Sequence, residues 1–335
     1  DKTLVASFNS ESGEMTAPSA IAGALGRGFM CLHPSLDIVY GLSLEDGKTI
    51  LGSYLIQADG TWELQSQLHT GSENNGTHLM VNATGTLVAV AHYWGSAVSV
   101  MSLAEDGSLK EVVLLGMHEG HSSAHERQKQ ALPHWAGFSP DGRYLYVPDL
   151  GNDQVWVYSV NENEVSLLKK VKLPDGYGPR HAAFHPNGKY FYLGEELACK
   201  VAAFDFDADS GDLNLLQQID SLPEADRKRM NIISEMIVHP NGKWLYVGNR
   251  GHDTIGVFSI DQKTGLLTAL EYEPVRGSWP RHFVLDPTGE WMLVNGQNTD
   301  TMAVFKIDLE TGRLVFDHVM TGIPGSNCML IKEAD

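Results

Sequence analysis

The chain is short of basic side chains, of cysteine and of long apolar runs. Its 335 residues carry 24 Lys and Arg against 42 Asp and Glu, a formal net charge of −18 at pH 7. Such a surface repels nucleic acid and anionic membranes, so an anionic ligand must be met by a local basic cluster. No apolar run approaches the roughly 18 residues needed to span a bilayer, and a soluble chain without a membrane partner is expected. Three cysteines, Cys31, Cys199 and Cys328, are odd in number and show no zinc-type pair spacing, which argues against a full disulfide framework. A reducing, cytoplasmic setting follows, with a periplasmic or secreted one as the alternative if a leader was removed ahead of Asp1. Also missing are a phosphate-cradling glycine loop, a dinucleotide fingerprint and a Ser-His-Asp spacing. No cofactor and no metal is expected.

What the chain does have is a repeat. An apolar alternating stretch ending in an aromatic residue or Met recurs at Phe8, Tyr54, Met101, Tyr158, Phe204, Phe258 and Phe305, at spacings of 46 to 57 residues. Strand-like repeats of this length mark a β-propeller in which each repeat is one four-stranded blade. A second motif runs in step with the first: Phe138–Val147, Phe184–Leu193, Val238–Val247 and Leu285–Val294 each hold Pro, then Asn, Asp or Thr, then Gly, with weaker copies at His33-Pro34 and at Asn82 to Gly85. Pro presets φ and Gly accepts positive φ, so each copy predicts a tight hairpin between two strands. Seven repeats predict an all-β, seven-bladed propeller occupying 1–335 as a single domain. Thr3 to Phe8 reads as the third strand of one blade and Ser326 to Lys332 as its innermost strand, so that the two termini close the ring in one sheet. Such a ring has no free edge, and a monomer is expected.

Two insertions break the spacing, His118 to Leu132 and Ser221 to Asn231. Long loops on a rigid scaffold are where binding groups tend to sit. In a propeller the start of the innermost strand and the end of the next share one rim. Polar residues collect at both places: Arg27, His78, Pro133-His134, Pro179-Arg180-His181, Ser234-Glu235 and Pro280-Arg281-His282 at the starts, and His92-Tyr93-Trp94, Asp149, Glu195-Glu196, Asn249-Arg250 with His252, and Asn295 to Asn298 at the ends. This layout offers an anion site flanked by titratable groups. His33, His185 and His239 lie in the hairpin motif on the opposite rim and read as structural. His118, His121 and His125 read as a solvated loop before a metal site. Of the neighbours Glu195 and Glu196, only one can enter the channel, because adjacent strand residues face opposite ways.

The motifs Arg127-Gln128, Pro133-His134, Asp149-Leu-Gly151, Gly178-Pro-Arg-His181, Glu196-Leu197, Asn249-Arg250 and Pro280-Arg-His282 resemble the lactonase-type seven-bladed propellers over nearly the whole chain. That family includes a bacterial 6-phosphogluconolactonase and a fungal 3-carboxy-cis,cis-muconate lactonizing enzyme. The resemblance implies catalytic roles for His134, Arg180, Glu196 and Arg250. It departs at Ala136, where many members have a second His, and in the His-rich insertion, both of which bear on substrate identity.

Lactone hydrolysis needs an activated water, a positive group for the growing oxyanion and a proton for the leaving alkoxide. Glu196 suits the base, His134 the proton donor, and Arg180 and Arg250 a carboxylate, phosphate or oxyanion. His181, Arg281, His78, Arg127, Gln128 and Asn249 are expected to bind substrate, with Arg227 to Arg229 as a further basic loop. Three functions stay open: hydrolysis of a sugar lactone such as 6-phosphogluconolactone in carbohydrate metabolism, cycloisomerisation of a carboxymuconate, and a non-catalytic binding propeller.

Overall fold

The computed structural model describes residues 3–22, 28–74, 76–325 and 327–333. Arg27 lies outside the described residues. Apart from a single 3₁₀ turn at Glu224–Asp226, the regular structure among the described residues is all strand, and no helix is long and apolar enough to cross a membrane.

Six four-stranded antiparallel meanders follow one another along the chain. The first three are Met30–Leu32, Ile38–Glu45, Lys48–Ile56 and Trp62–Glu73; then His78–Val81, Leu87–His92, Ala97–Leu103 and Leu109–Met117; then Gly137–Phe138, Tyr144–Asp149, Gln154–Asn161 and Glu164–Lys172. The fourth to sixth are Pro179–Phe184, Tyr190–Glu195, Lys200–Asp207 and Asp212–Asp220; Ile232–Val238, Trp244–Arg250, Thr254–Ile260 and Leu267–Pro274; Phe283–Leu285, Trp291–Gly296, Thr301–Ile307 and Leu314–Thr321. Two compact units hold them, residues 1–5 with 18–179 and residues 6–17 with 180–335.

Each anchor residue from Tyr54 to Phe305 falls in the third strand of its sheet. At all six of them, Tyr54, Met101, Tyr158, Phe204, Phe258 and Phe305, the register with the outermost strand shifts. A bulge there adds local twist just where a large buried side chain must be seated. The Pro/Asn/Gly motifs form the hairpins between first and second strands. His185 accepts the Asn187 N–H at Nδ1 (3.1 Å), so its Nε2 carries the proton and donates to the Gly242 carbonyl of the next sheet (2.8 Å). His239 repeats this with Asn241 and Gly289, and His33 with Ser35 and Gly85. Gly242 is required: its φ is +75°, and a Cβ would lie 2.7 Å from the His185 ring. Tyrosines in second strands make a parallel set of ties, Tyr40 to the Gly107 carbonyl (2.6 Å), Tyr192 to Gly265 (3.0 Å) and Tyr246 to Gly312 (2.9 Å). These histidines and tyrosines stitch sheet to sheet, each tie contributing about 1 kcal/mol.

The repeat at Phe8 differs from expectation. Leu4–Val5 pairs with Ser19–Ala20, and Phe8 bridges Met15, so Thr3 to Phe8 is not one continuous strand. No strand forms over residues 327–333; Ser326 lies outside the described residues. A side chain takes an N–H group that a ladder would use, His282 Nδ1 accepting from Met329 (3.3 Å), and just ahead of the stretch Asp300 accepts from Gly325 (2.9 Å). Phe8, Met15, Met329 and Ile331 nevertheless pack on one apolar cluster around Trp291 and Leu293.

Candidate active site

In the second unit, three charged side chains distant in sequence converge. Arg180 stands at the start of the innermost strand Pro179–Phe184, Glu196 one residue past the strand Tyr190–Glu195, and Arg250 at the end of Trp244–Arg250. Strand starts and strand ends therefore meet, as the rim geometry requires. Glu196 Oε2 lies 2.9 Å from Arg180 Nε and 3.1 Å from Arg250 Nη2. Both contacts are ion pairs by distance rather than aligned hydrogen bonds at this oxygen. All three residues are at most 4 % exposed. Backbone carbonyls take further guanidinium hydrogens: Arg180 donates to Ser234 and Arg250 to Ile233 (2.6 Å). Glu195 faces the other way, accepting from Gln218 Nε2 at 2.7 Å, so one of the paired carboxylates belongs to the cluster and one to the sheet.

Burial, with Arg250 and Arg281 nearby, presses the Arg180 pKa well down, while Glu196 and Glu235 pull it back. Taking the two histidines below as neutral, three Arg and two Glu leave one net positive charge in a chain of strongly negative balance.

A second carboxylate organises the neighbouring imidazoles. Glu235 Oε1 is 3.0 Å from His181 Nδ1 and Oε2 is 3.2 Å from His282 Nε2. His282 Nδ1 accepts from Met329, which leaves its Nε2 as the donor to Glu235. Burial, opposed by Glu235, pulls His181 down to about 4 and also lowers His282. Glu235 is held below the carboxylate range: burial pushes it up, but His181, His282 and Arg180 outweigh that. Both rings are neutral at pH 7 and stand oriented on an ionised carboxylate.

Acidic residues in left-handed turns fix the loops that lead into the innermost strands. Asp153 (φ +55°) accepts from the N–H groups of Gly176 (2.8 Å) and Gly178 (2.7 Å), just before Arg180. Asp253 (φ +60°) accepts from Trp279 (2.7 Å), just before Arg281. At the equivalent turn Cys199 (φ +53°) approaches the Asn231 carbonyl at 3.0 Å. Asn249 bonds the Ser221 carbonyl (3.0 Å) and Asn231 (3.1 Å), so its amide clamps the 221–231 insertion rather than pointing at a ligand. In the same insertion Arg227 pairs with Asp220 at 2.8 Å and Arg229 lies 3.7 Å from Asp226, which neutralises the expected basic loop locally.

The first unit holds the remaining candidates. His134 is buried with its ring edge-on to Tyr93 at 5.2 Å, and the Tyr93 hydroxyl accepts from Arg127 at 3.0 Å. His78 accepts the Ala136 N–H (3.3 Å) and lies between Phe29 (4.6 Å) and Trp135 (5.6 Å). Gln128 donates its amide N–H groups to the Leu150 carbonyl (2.8 Å) and Asp153 (2.7 Å). His118 is not solvated: it is buried, bonded to Asp149 (2.8 Å) and Tyr158 (3.0 Å), and stacked on Trp156 at 3.9 Å. No group of three metal-ligating side chains occurs among the described residues. Sequence reasoning gave no role to Glu235 or Trp279. The one signal for Glu235 was its place at a strand start, and for Trp279 its nearness to Pro280-Arg281.

The chain is similar to known proteins over most of its length. The chain is 31 % identical over 279 residues to the 6-phosphogluconolactonase of Bacillus subtilis, covering 83 % of this chain and 79 % of that one. It is 30 % identical over 288 residues to the 6-phosphogluconolactonase of Formosa agariphila, covering 83 % and 80 %. Among solved structures, the periplasmic gluconolactonase of Pseudomonas aeruginosa superposes with a TM-score of 0.87 at 29 % identity, over 96 % of this chain and 93 % of that one. The family model for lactonases with a 7-bladed β-propeller matches residues 2–331, and the chain belongs to that family.

Proposed function

We propose that this lactonase hydrolyses a six-membered sugar lactone, with 6-phosphogluconolactone as the first substrate to test. The observation that carries the reading is the buried Arg180–Glu196–Arg250 cluster in a chain 31 % identical to a 6-phosphogluconolactonase. A pair of guanidinium groups held on one carboxylate is preorganised: its charge is aimed before substrate arrives, and little reorganisation remains for the moment of reaction. Arg180 and Arg250 would bind the oxyanion that grows on the ring carbonyl, or an anionic substituent of the sugar. Glu196 would serve as base toward water and, through its two ion pairs, hold both arginines in place. For the departing ring oxygen, the family resemblance names His134 as the proton donor. The hydrolysis adds water across the acyl C–O bond: hydroxyl to the carbonyl carbon, proton to the released alkoxide.

The test is base consumption in a pH-stat on adding δ-gluconolactone with and without a 6-phosphate, each against its uncatalysed rate. Acceleration with a marked preference for the phosphorylated lactone supports the reading. Loss of the ultraviolet band of a carboxymuconate, with no acceleration on either lactone, would instead make the chain a cycloisomerase. Inactivity on all three would leave a binding propeller.

A further inference from the structure

We infer that Trp279 is the wall on which the ring of the substrate stacks, and that the fold accepts a strained backbone to place it there. The inference rests on the sugar-lactone reading and adds the residue that recognises the non-reacting face of the ring. Four buried tryptophans, Trp135, Trp156, Trp244 and Trp291, are 3–4 % exposed and serve as core. Trp279 is different: it is half-buried, in the loop between Leu267–Pro274 and Phe283–Leu285. Its φ is +66°, and Arg276 three residues earlier has φ +55°. A left-handed conformation is uncommon outside glycine and strained for so bulky a side chain.

The surroundings over-determine that conformation. Asp253 accepts the Trp279 N–H at 2.7 Å, and Gln297 donates to the Trp279 carbonyl at 3.1 Å. Ser278 donates to Thr299 Oγ1 at 3.0 Å and accepts from the Asn298 N–H at 3.1 Å. A loop held at both of these residues has no local need for an indole, yet glycine would relieve the strain. What the indole does is reach Arg250: the guanidinium carbon lies 5.7 Å from the ring centroid. The same guanidinium contacts Glu196. An aromatic surface beside a cationic pair is the combination that a sugar acid ring requires, its C–H face against the indole and its carbonyl or anionic end against the arginines.

Trp279→Gly and Trp279→Phe test this on the intact protein, using 6-phosphogluconolactone and δ-gluconolactone for kinetics and 6-phosphogluconate for binding. The Gly variant is expected to melt at or above the wild-type temperature, because glycine prefers the native φ. Its KM should rise about tenfold, the loss of one aromatic contact, with kcat changed less than about threefold, and Phe should restore most of the affinity. 6-Phosphogluconate should quench the tryptophan fluorescence of the wild type but not of the Phe variant. An unchanged KM in the Gly variant, or a fall in kcat alone, would overturn the inference and leave Trp279 a prop for Arg250. If the wild type turns over no lactone, the functional reading fails separately, and the fluorescence titration still decides whether a sugar acid stacks on this residue.

Discussion

Replacing Glu196 by Gln removes the charge that holds two buried guanidinium groups at 2.9 and 3.1 Å. The variant keeps the shape of the side chain, so packing is preserved and the electrostatic change stands alone. Breaking a buried ion pair by deleting one partner costs about 3–5 kcal/mol, because the surviving charge is left uncompensated. Here two like charges survive, and Arg250 already depresses Arg180 in the wild type. At roughly 2.1 cal/mol/K per residue, a chain of 335 residues has an unfolding entropy of about 0.7 kcal/mol/K. A loss of 3–5 kcal/mol therefore lowers Tm by about 4–7 °C. Differential scanning calorimetry measures the shift, and pH-stat kinetics at a temperature well below it should find kcat reduced by roughly 10² or more. Phosphate or sulfate should raise the Tm of the variant more than that of the wild type, since an external anion replaces the missing carboxylate. A variant that melts within 1 °C of wild type and retains its turnover would refute both the electrostatic and the catalytic role of Glu196.

Substituting His134 by Ala should lower kcat by roughly 10² while the melting temperature stays close to wild type; full turnover would remove His134 from the mechanism. Asp153→Ala deletes the acceptor for the N–H groups of Gly176 and Gly178 and for Gln128 Nε2, which should cost on the order of 3–5 kcal/mol and loosen the approach to Arg180, seen as faster amide exchange at residues 176–180. Stability should also fall in mild acid. His92 and His181 drop from an ordinary 6.5 to about 4 on folding; the unfolded chain then binds more protons between those values, so the fold weakens as pH falls from 6.5 towards 4. Each ring accounts for about 3 kcal/mol over that range. Glu235, held below the carboxylate range, adds its loss only below about 4.5, its unfolded value. Denaturant midpoints that do not move between pH 7 and 4.5 would contradict this.

Which parts of this protein were legible in its sequence follows from the range of the interactions involved. The third-strand anchors and the Pro/Asn/Gly hairpins are local, with turn chemistry and alternation contained in about ten residues, and they appear where expected in six sheets. The repeat at the termini was misread because a strand is defined by its partner. Residues 327–333 have apolar content enough for an inner strand, but Asp300 and His282 claim N–H groups of this stretch and its approach. The same distinction divides the site. Arg180, Glu196 and Arg250 stand among the strand starts and ends that a propeller returns to one rim whatever the side chains, and the family resemblance singled them out from the other polar residues there. Gln128 and Asn249 sit beside equally suggestive motifs, yet their amide N–H groups close on the backbone of their own unit. Nothing in a linear pattern tells an amide that turns inward to a carbonyl from one that turns to a ligand. Glu235 bonds a histidine 54 residues before it and lies 3.2 Å from another 47 after it, a link set by the stacking of successive sheets. In a repeat fold, then, local chemistry fixes the frame, the frame gathers the charges, and contacts one repeat away decide which of them are left to meet a substrate.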